Sequence, residues 1–362
     1  MSRGYSALPT APTSPEHDAV RQQQEVEGAV RILGAMRVIR YSAPGRAGIV
    51  GNPSDMYGGT VISCALPLRA RCTLEPAARL TFQSPQRVVN PETLSRQSDE
   101  FDVCRVALQG LGFTVDTAPF ALRIETDIPA QSGLAGSSAL LTAVVACLLQ
   151  YLQEPWRTRH ALAERARQIE AQLLQVACGY QDFYMATFGG LNLMEFRDKE
   201  WLGKDPSEPL ATVEPLQDYL RGEALPMWLA TTGGKRFSGT VHSNLRARWE
   251  AGETAVVDGM GRIGRLAREA KNALLQRDWE RLAYLMNENY AIIRDLGGSG
   301  ETLHQLVEVA RAHGALGAKL AGAGGAGGTV IVLTRQPERT LPALREVAEQ
   351  IIPIAPNAPG IG

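Results

Sequence analysis

The stretch Pro129-Ala-Gln-Ser-Gly-Leu-Ala-Gly-Ser-Ser-Ala139 decides how this chain reads. Phe120–Thr126, just before it, has the residue types of a short strand. Gly136–Tyr151, just after it, is apolar nearly all round, the mark of a buried helix. Gly133 and Gly136 permit positive φ and a close ligand approach to the backbone. Ser137 and Ser138 fall at the helix start, where unpaired N–H groups and the helix dipole attract anions. A hydroxyl there can also ligate Mg²⁺. Simple capping of a buried helix explains the serines. It does not explain two glycines flanking the helix entry, so the stretch reads as a phosphate-binding loop. No G-K-[ST] follows, so it is not a Walker A loop.

Two further glycine clusters frame it. The first is Pro44-Gly45-Arg46, then Gly51-Asn52-Pro53-Ser54-Asp55 and Gly58-Gly59. It reads either as ordinary turns or as a loop that lets Arg46 and Asp55 face a small polar ligand. An aspartate accepts from sugar hydroxyls, and an arginine neutralises a transferring phosphoryl group. The last runs Lys319-Leu-Ala-Gly322-Ala-Gly324-Gly325-Ala-Gly327-Gly328 into the apolar strand Thr329–Thr334. It reads as a linker or as a packed loop passing behind phosphates. Asp182 follows Gly179-Tyr180-Gln181. Glu170 lies on a helix whose stripe is Leu162, Ala166, Ile169, Leu173 and Val176, and is either solvated or a Mg²⁺ ligand. Ser238-Gly-Thr-Val-His242 opens a helix, with His242 a substrate contact or a structural histidine.

The chain has 362 residues, which suggests about two domains. Hydrophobic residues make up 44% and charged residues 21%, enough for a core without stapling. Lys+Arg 37 against Asp+Glu 38 leaves −1, so no global field favours nucleic acid or an anionic membrane. No segment reaches the ~18–20 apolar residues of a membrane span. There is no signal-peptide pattern, and five cysteines without C-x-x-C fit a reducing cytoplasm. A disordered arm (1–20) and a short helix at Ala19–Leu33 are expected first. Strands are expected at Arg37–Tyr41, Val61–Leu66, Leu80–Gln83, Leu191–Phe196 and Met227–Thr231, with a surface loop over Pro85–Asp102. Helices are expected at Thr254–Arg277, Asp278–Leu296, Glu301–His313 and Leu341–Ile352. Strands and helices mix without strict alternation, which predicts α+β. The polar stretch 198–214 predicts the division: an N-terminal arm (1–35), one domain over 36–205 and another over 206–362.

Taken in order, these motifs resemble the GHMP kinase superfamily. Pro44-Gly45-Arg46 with Gly51-Asn52-Pro53-Ser54-Asp55 is similar to its first motif, Pro129–Ala139 to its second and Gly322–Gly328 to its third. With Gly179-Tyr-Gln-Asp182 and Ser238-Gly-Thr-Val-His242, the chain looks most like the glucuronokinases within it. The resemblance implies an N-terminal domain of the ribosomal-protein-S5 domain 2 type and a ferredoxin-like C-terminal domain. ATP, Mg²⁺ and a sugar would meet between them. It implies Asp182 and Arg46 as catalytic residues, and Asn52, Ser54, Asp55, Tyr57 and His242 at the sugar. It implies Gln131, Ser132, Gly133, Leu134, Ala135, Gly136, Ser137, Ser138, Gly324 and Gly325 at the nucleotide. Ser138 and Glu170 would serve the metal. The reaction implied is phosphorylation of an anomeric hydroxyl, with D-glucuronate the substrate and neutral sugars or mevalonate-type alcohols the alternatives. A sensor that binds ATP and sugar without transfer is a further alternative. One departure bears on the substrate: galactokinase-type chains carry Glu-His where this one has Asn52-Pro53. A glutamate facing a sugar carboxylate at ~4 Å would cost on the order of 4 kcal/mol, so a neutral residue there agrees with a uronic acid.

Overall fold

The computed structural model describes residues 37–174, 178–197, 199, 210–220, 222–232, 238–322, 324–325 and 327–362, with the backbone alone for 238–243. The arm and helix expected within 1–35 lie outside the described residues, as do Lys235 and Arg236, which the sequence offers either as cations for a substrate carboxylate or as exposed basic residues.

Two antiparallel-rich sheets carry the chain. In the first, β1 (Ile39–Val50) pairs along the 17-residue β2 (Thr60–Pro76). The opposite edge of β2 pairs with β5 (Phe120–Thr126) at one end and β6 (Leu191–Glu195) at the other. The short strands β3 (Thr81–Gln83) and β4 (Val88–Val89) extend the sheet beyond β5, and β7 (Thr212–Pro215) extends it beyond β6. Pro44-Gly45-Arg46, expected in a loop, lies inside β1. The register jumps there, with Pro44 opposite Arg69 and Arg46 opposite Ala65. Proline has no ladder N–H, so the strand bulges at that point and aims Arg46 anew.

Helix α2 (Gly136–Tyr151) covers this sheet, and helix α1 (Asp102–Gly110) packs beside α2 with Arg105 over the Phe82 ring of β3. Ser138 to Leu149 are all buried, as an all-apolar helix requires. Helix α3 (Arg159–Ile169) passes into a π turn, Glu170–Leu174, where a continuous α-helix is expected. Helix α4 (Gln181–Phe188) follows.

The second sheet has the order β11-β8-β10-β9, built from β8 (Met227–Thr231), β9 (Ala315–Leu320), β10 (Thr329–Thr334) and β11 (Gln350–Pro353). Around it lie α5 (Ser238–Glu250), α6 (Thr254–Gln276), α7 (Trp279–Asp295), α8 (Glu301–Ala312) and α9 (Pro337–Arg345). The helix expected at Leu341–Ile352 is corrected: α9 ends at Arg345, and Gln350–Pro353 pairs with β8. Ile351, Ile352 and Pro353 suit a sheet edge, and the Ile354 N–H still donates to Met227 O at 3.1 Å beyond the proline. The loop expected over Pro85–Asp102 contains β4, and Asp102 already belongs to α1.

Helix α6 joins the two halves. Gly264 lies against Gly59 and Thr60 at the start of β2, where a Cβ would sit 3.2 Å from the Thr60 nitrogen. The turn that precedes β2 is thereby clamped between both layers.

Candidate active site

The phosphate-binding loop is shaped by what holds its carbonyls. Ser132 O accepts from Thr329 Oγ1 of β10 at 2.9 Å. Gly133 O accepts from Arg46 Nη1 at 2.7 Å, and Leu134 O from the Arg46 N–H at 3.0 Å. Three successive carbonyls therefore point into the protein. Because each peptide is planar and trans, the N–H groups of Gly133, Leu134 and Ala135 point the opposite way. Among the described residues none of these three N–H groups has an acceptor. Gln131, Gly133 and Ala135 hold left-handed φ of 56°, 77° and 62°, which curls the loop. The result is a nest of backbone donors leading straight into the N-terminus of α2, an anion cradle by construction. Ser132 and Leu134 are buried, whereas Gln131 and Ser137 are exposed.

Arg46 is the hinge between this loop and the acid. Its Nε and Nη2 both reach Asp182 Oδ1, at 2.8 and 2.7 Å. Among the described residues no donor reaches Asp182 Oδ2. Arg46 Nη1 also touches Ala321 O at 3.3 Å. The cation is 5% exposed, so the fork is well shielded from solvent. The third glycine cluster arrives at the same place. A Cβ on Gly322 would collide with the Gly133 carbonyl, so only glycine lets the two loops meet.

Asp182 stands in the first turn of α4, and Asp55 anchors that turn. Gln181 donates its N–H to Asp55 Oδ2 at 3.1 Å and its Nε2 to Oδ1 at 2.9 Å. Ser63 in turn holds Gln181 Oε1 at 2.9 Å. Burial and the nearby Asp182 charge push the Asp55 carboxyl up to about 6, against the pull of Gln181 and Arg46.

Glu170 opens the π turn and is 5% exposed, not a solvated helix carboxylate. Burial, then the Asp182 charge, raise its carboxyl to about 7. Ser137 Oγ stands 3.5 Å from Glu170 Oε1, and Ser138 is buried beside it in the chain. The Glu170 carboxylate and the hydroxyls of Ser137 and Ser138 are hard oxygen donors, the kind Mg²⁺ takes. Mg²⁺ is usually held by one or two carboxylates plus substrate phosphates, so a fuller protein cage is not needed.

Of the residues expected at the sugar, Asn52, Ser54 and Asp55 spend their polar groups inside the fold. Asn52 is 2% exposed and turned inward: its Nδ2 donates to Leu320 O at 3.3 Å and Gly322 O at 3.1 Å, and Lys319 Nζ donates to its Oδ1 at 2.6 Å. The case for a uronic acid from a neutral residue at 52 loses its premise, because that residue meets a lysine. Ser54 is fully buried and donates to Thr60 O at 3.2 Å, closing the turn. Asp55 is likewise wholly buried, so its observed work is to anchor α4. Tyr57 ends the 3₁₀ turn Ser54–Tyr57 with its hydroxyl buried and, among the described residues, without a hydrogen-bond partner. Burial lifts that hydroxyl to about 12. The side chain of His242 lies outside the described residues. Of the two glycines expected at the nucleotide, Gly325 is bonded to the loop after α7, its N donating to Gly298 O and its O accepting from Gly300 N, each at 3.0 Å, and Gly324 lies against the Gly298 carbonyl.

Two residues of this framework have no role in the sequence reading. Lys319 is on β9, and Asn289, fully buried on α7, accepts from Gly51 N at 2.9 Å and donates to Asn52 O at 3.2 Å. The available signal was a polar residue on an apolar stripe, with Met286 and Ile293 a turn away on either side of Asn289.

Among the described residues, no helix is long and apolar enough to cross a membrane. The family model for the GHMP kinases N terminal domain matches residues 101–190, and that for the GHMP kinases C terminal matches residues 270–352. Glucuronokinase 1 of Arabidopsis thaliana is 31% identical over 81% of this chain and 84% of its own length. The D-glycero-alpha-D-manno-heptose 7-phosphate kinase of Campylobacter jejuni is 27% identical over 81% and 88%. In fold, the chain is similar to Lactococcus lactis galactokinase complexed with galactose, with a TM-score of 0.71 at 18% identity over 94% of this chain and 99% of that one. With the family models matched in both halves and a relative this similar along most of its length, the chain belongs to the GHMP kinases and is a phosphotransferase.

Proposed function

We propose that the protein transfers the γ-phosphoryl group of ATP to the anomeric hydroxyl of a monosaccharide, with D-glucuronate the preferred acceptor. The observation that carries the transfer reading is the nest of N–H groups over Gly133–Ala135 with the Arg46–Asp182 fork at its edge. The nest suits the nucleotide phosphates, and Arg46 suits the charge that builds on the transferring group. Asp182, bonded among the described residues through Oδ1, has Oδ2 to hold or deprotonate the attacking hydroxyl. Ser138, Ser137 and Glu170 would hold Mg²⁺, which supplies neutralisation of phosphate charge. Little covalent chemistry falls to the protein, so positioning and electrostatics do the work.

The acceptor reading is supported by the relatives named glucuronokinase, 31% and 30% identical. The test is coupled ADP release with D-glucuronate, galacturonate, galactose, a heptose 7-phosphate and mevalonate, with the product identified by phosphorus NMR. Highest turnover with glucuronate and a phosphate on the anomeric carbon is expected. Turnover with a neutral sugar or mevalonate and none with glucuronate overturns the acceptor; nucleotide and sugar binding without any phosphorylated product overturns the transfer.

A further inference from the structure

β9 carries a lysine where its neighbours are buried and small or apolar. Lys319 is 1% exposed. Its Nζ donates to Leu320 O at 2.5 Å, Asn52 Oδ1 at 2.6 Å and Gly48 O at 3.3 Å. All three acceptors are uncharged, and among the described residues no carboxylate pairs with it. Lined by Asn52, Asn289, Tyr290, Ile293, Leu320 and Gly322, the space around it has no room for a water molecule. Burial, and then the like charge of Arg46, hold the ammonium well below the usual lysine range. A desolvated cation without a counter-charge is a costly choice where methionine would pack.

What this cation touches explains why it is there. Gly48 is two residues from Arg46 on β1, and its N–H donates to Ala321 O at 2.8 Å, the carbonyl that Arg46 Nη1 also reaches. Asn52, held by the lysine, passes a bond to Gly322 O, and Gly322 backs directly onto the Gly133 carbonyl. Two short chains of contacts therefore lead from one ammonium, one to Arg46 and one to the phosphate nest.

We propose that Lys319 is a positioning residue for phosphoryl transfer: its ammonium locks the strand that carries Arg46 to the loop that backs the phosphate nest. The lysine touches no reacting atom and acts through Asn52, Gly48 and Leu320. Lys319→Met keeps the volume and removes the three bonds.

The test compares wild type, Lys319→Met, Asn52→Ala and the double variant, at a temperature where calorimetry shows each fully folded. The acceptor is whichever of the panel turns over fastest, so the result does not depend on the sugar assignment. Expected are a fall in kcat of at least tenfold and a rise in the KM for ATP for Lys319→Met, with the acceptor KM within threefold. Asn52→Ala should lose kcat in the same direction, and the double variant should be no worse than the poorer single, because one unit is broken once. Should Lys319→Met not fold, Asn52→Ala alone still reads the kcat and KM split. A kcat within threefold of wild type, a change confined to the acceptor KM, or additive losses in the double variant each overturn the proposal.

Discussion

Asp55 and Asp182 lie near the same guanidinium and differ in enclosure. Asp55 is wholly buried and its carboxyl is raised from an ordinary 3.8 to about 6. Between those two pH values the folded protein keeps a proton that the unfolded chain has lost. The stability from the neutral carboxyl is thus full below pH ~4 and lost as pH rises through ~6. A shift of about two units at ~1.4 kcal/mol each makes this on the order of 3 kcal/mol. Urea unfolding from pH 4 to pH 8 should show wild type losing more stability than Asp55→Asn by that order; parallel curves would contradict it. Asp182 has the other role. Asp182→Asn should still accept the Arg46 fork and bind nucleotide within a few fold, yet lose about 10²–10⁴ in kcat, the usual worth of a positioned acid or base. Near wild-type turnover would remove Asp182 from the chemistry.

At the scale of elements, loops and helix ends do what their side chains alone could not. The π turn at Glu170 shifts the following residues by one position relative to an α-helix and begins with the buried carboxylate beside Ser137. The loop before α2 works because its carbonyls are taken by β1 and β10, which frees its N–H groups for an anion. Gly322 is where the third loop presses on this arrangement. Gly322→Ala should push the Gly133 peptide and raise the KM for ATP by about tenfold, a typical consequence of misplacing a binding group. Steady-state kinetics against ATP would show it; an unchanged ATP KM would mean that the loops yield freely.

At the scale of the molecule, the last residues return from the second sheet to the first. Gly190 N donates to Ala358 O at 2.8 Å, and Ile361 N to Thr187 O at 3.2 Å, tying down the end of α4. Gly362 and Ser42 exchange backbone bonds at 2.7 and 3.1 Å on β1. Arg69 forks onto Pro359 O and Gly360 O at 2.7 and 2.8 Å, and onto Ser42 as well. Charged hydrogen bonds of this kind are worth ~1.5–3 kcal/mol each at most. Arg69→Ala should lower the unfolding free energy by about 2 kcal/mol and shift the urea midpoint down accordingly. A midpoint identical to wild type would show the strap to be held by its backbone alone.

Much was legible before the fold was known, and for a local reason. Helix α2 and strands β5, β8 and β10 keep the bounds read from their patterns, because apolar periodicity and glycine punctuation act within a few residues. The order of the glycine motifs likewise identified the superfamily. What local pattern could not say is which polar groups the protein uses up internally. Asn52, Ser54 and Asp55 are consumed by partners inside the fold, and the partner of Asn52, Lys319, lies 267 residues away. The same holds for the last strand, whose register depends on β8 and not on its own propensity. Burial and long-range pairing decide whether a polar side chain faces a ligand or a neighbour, and only tertiary packing sets those.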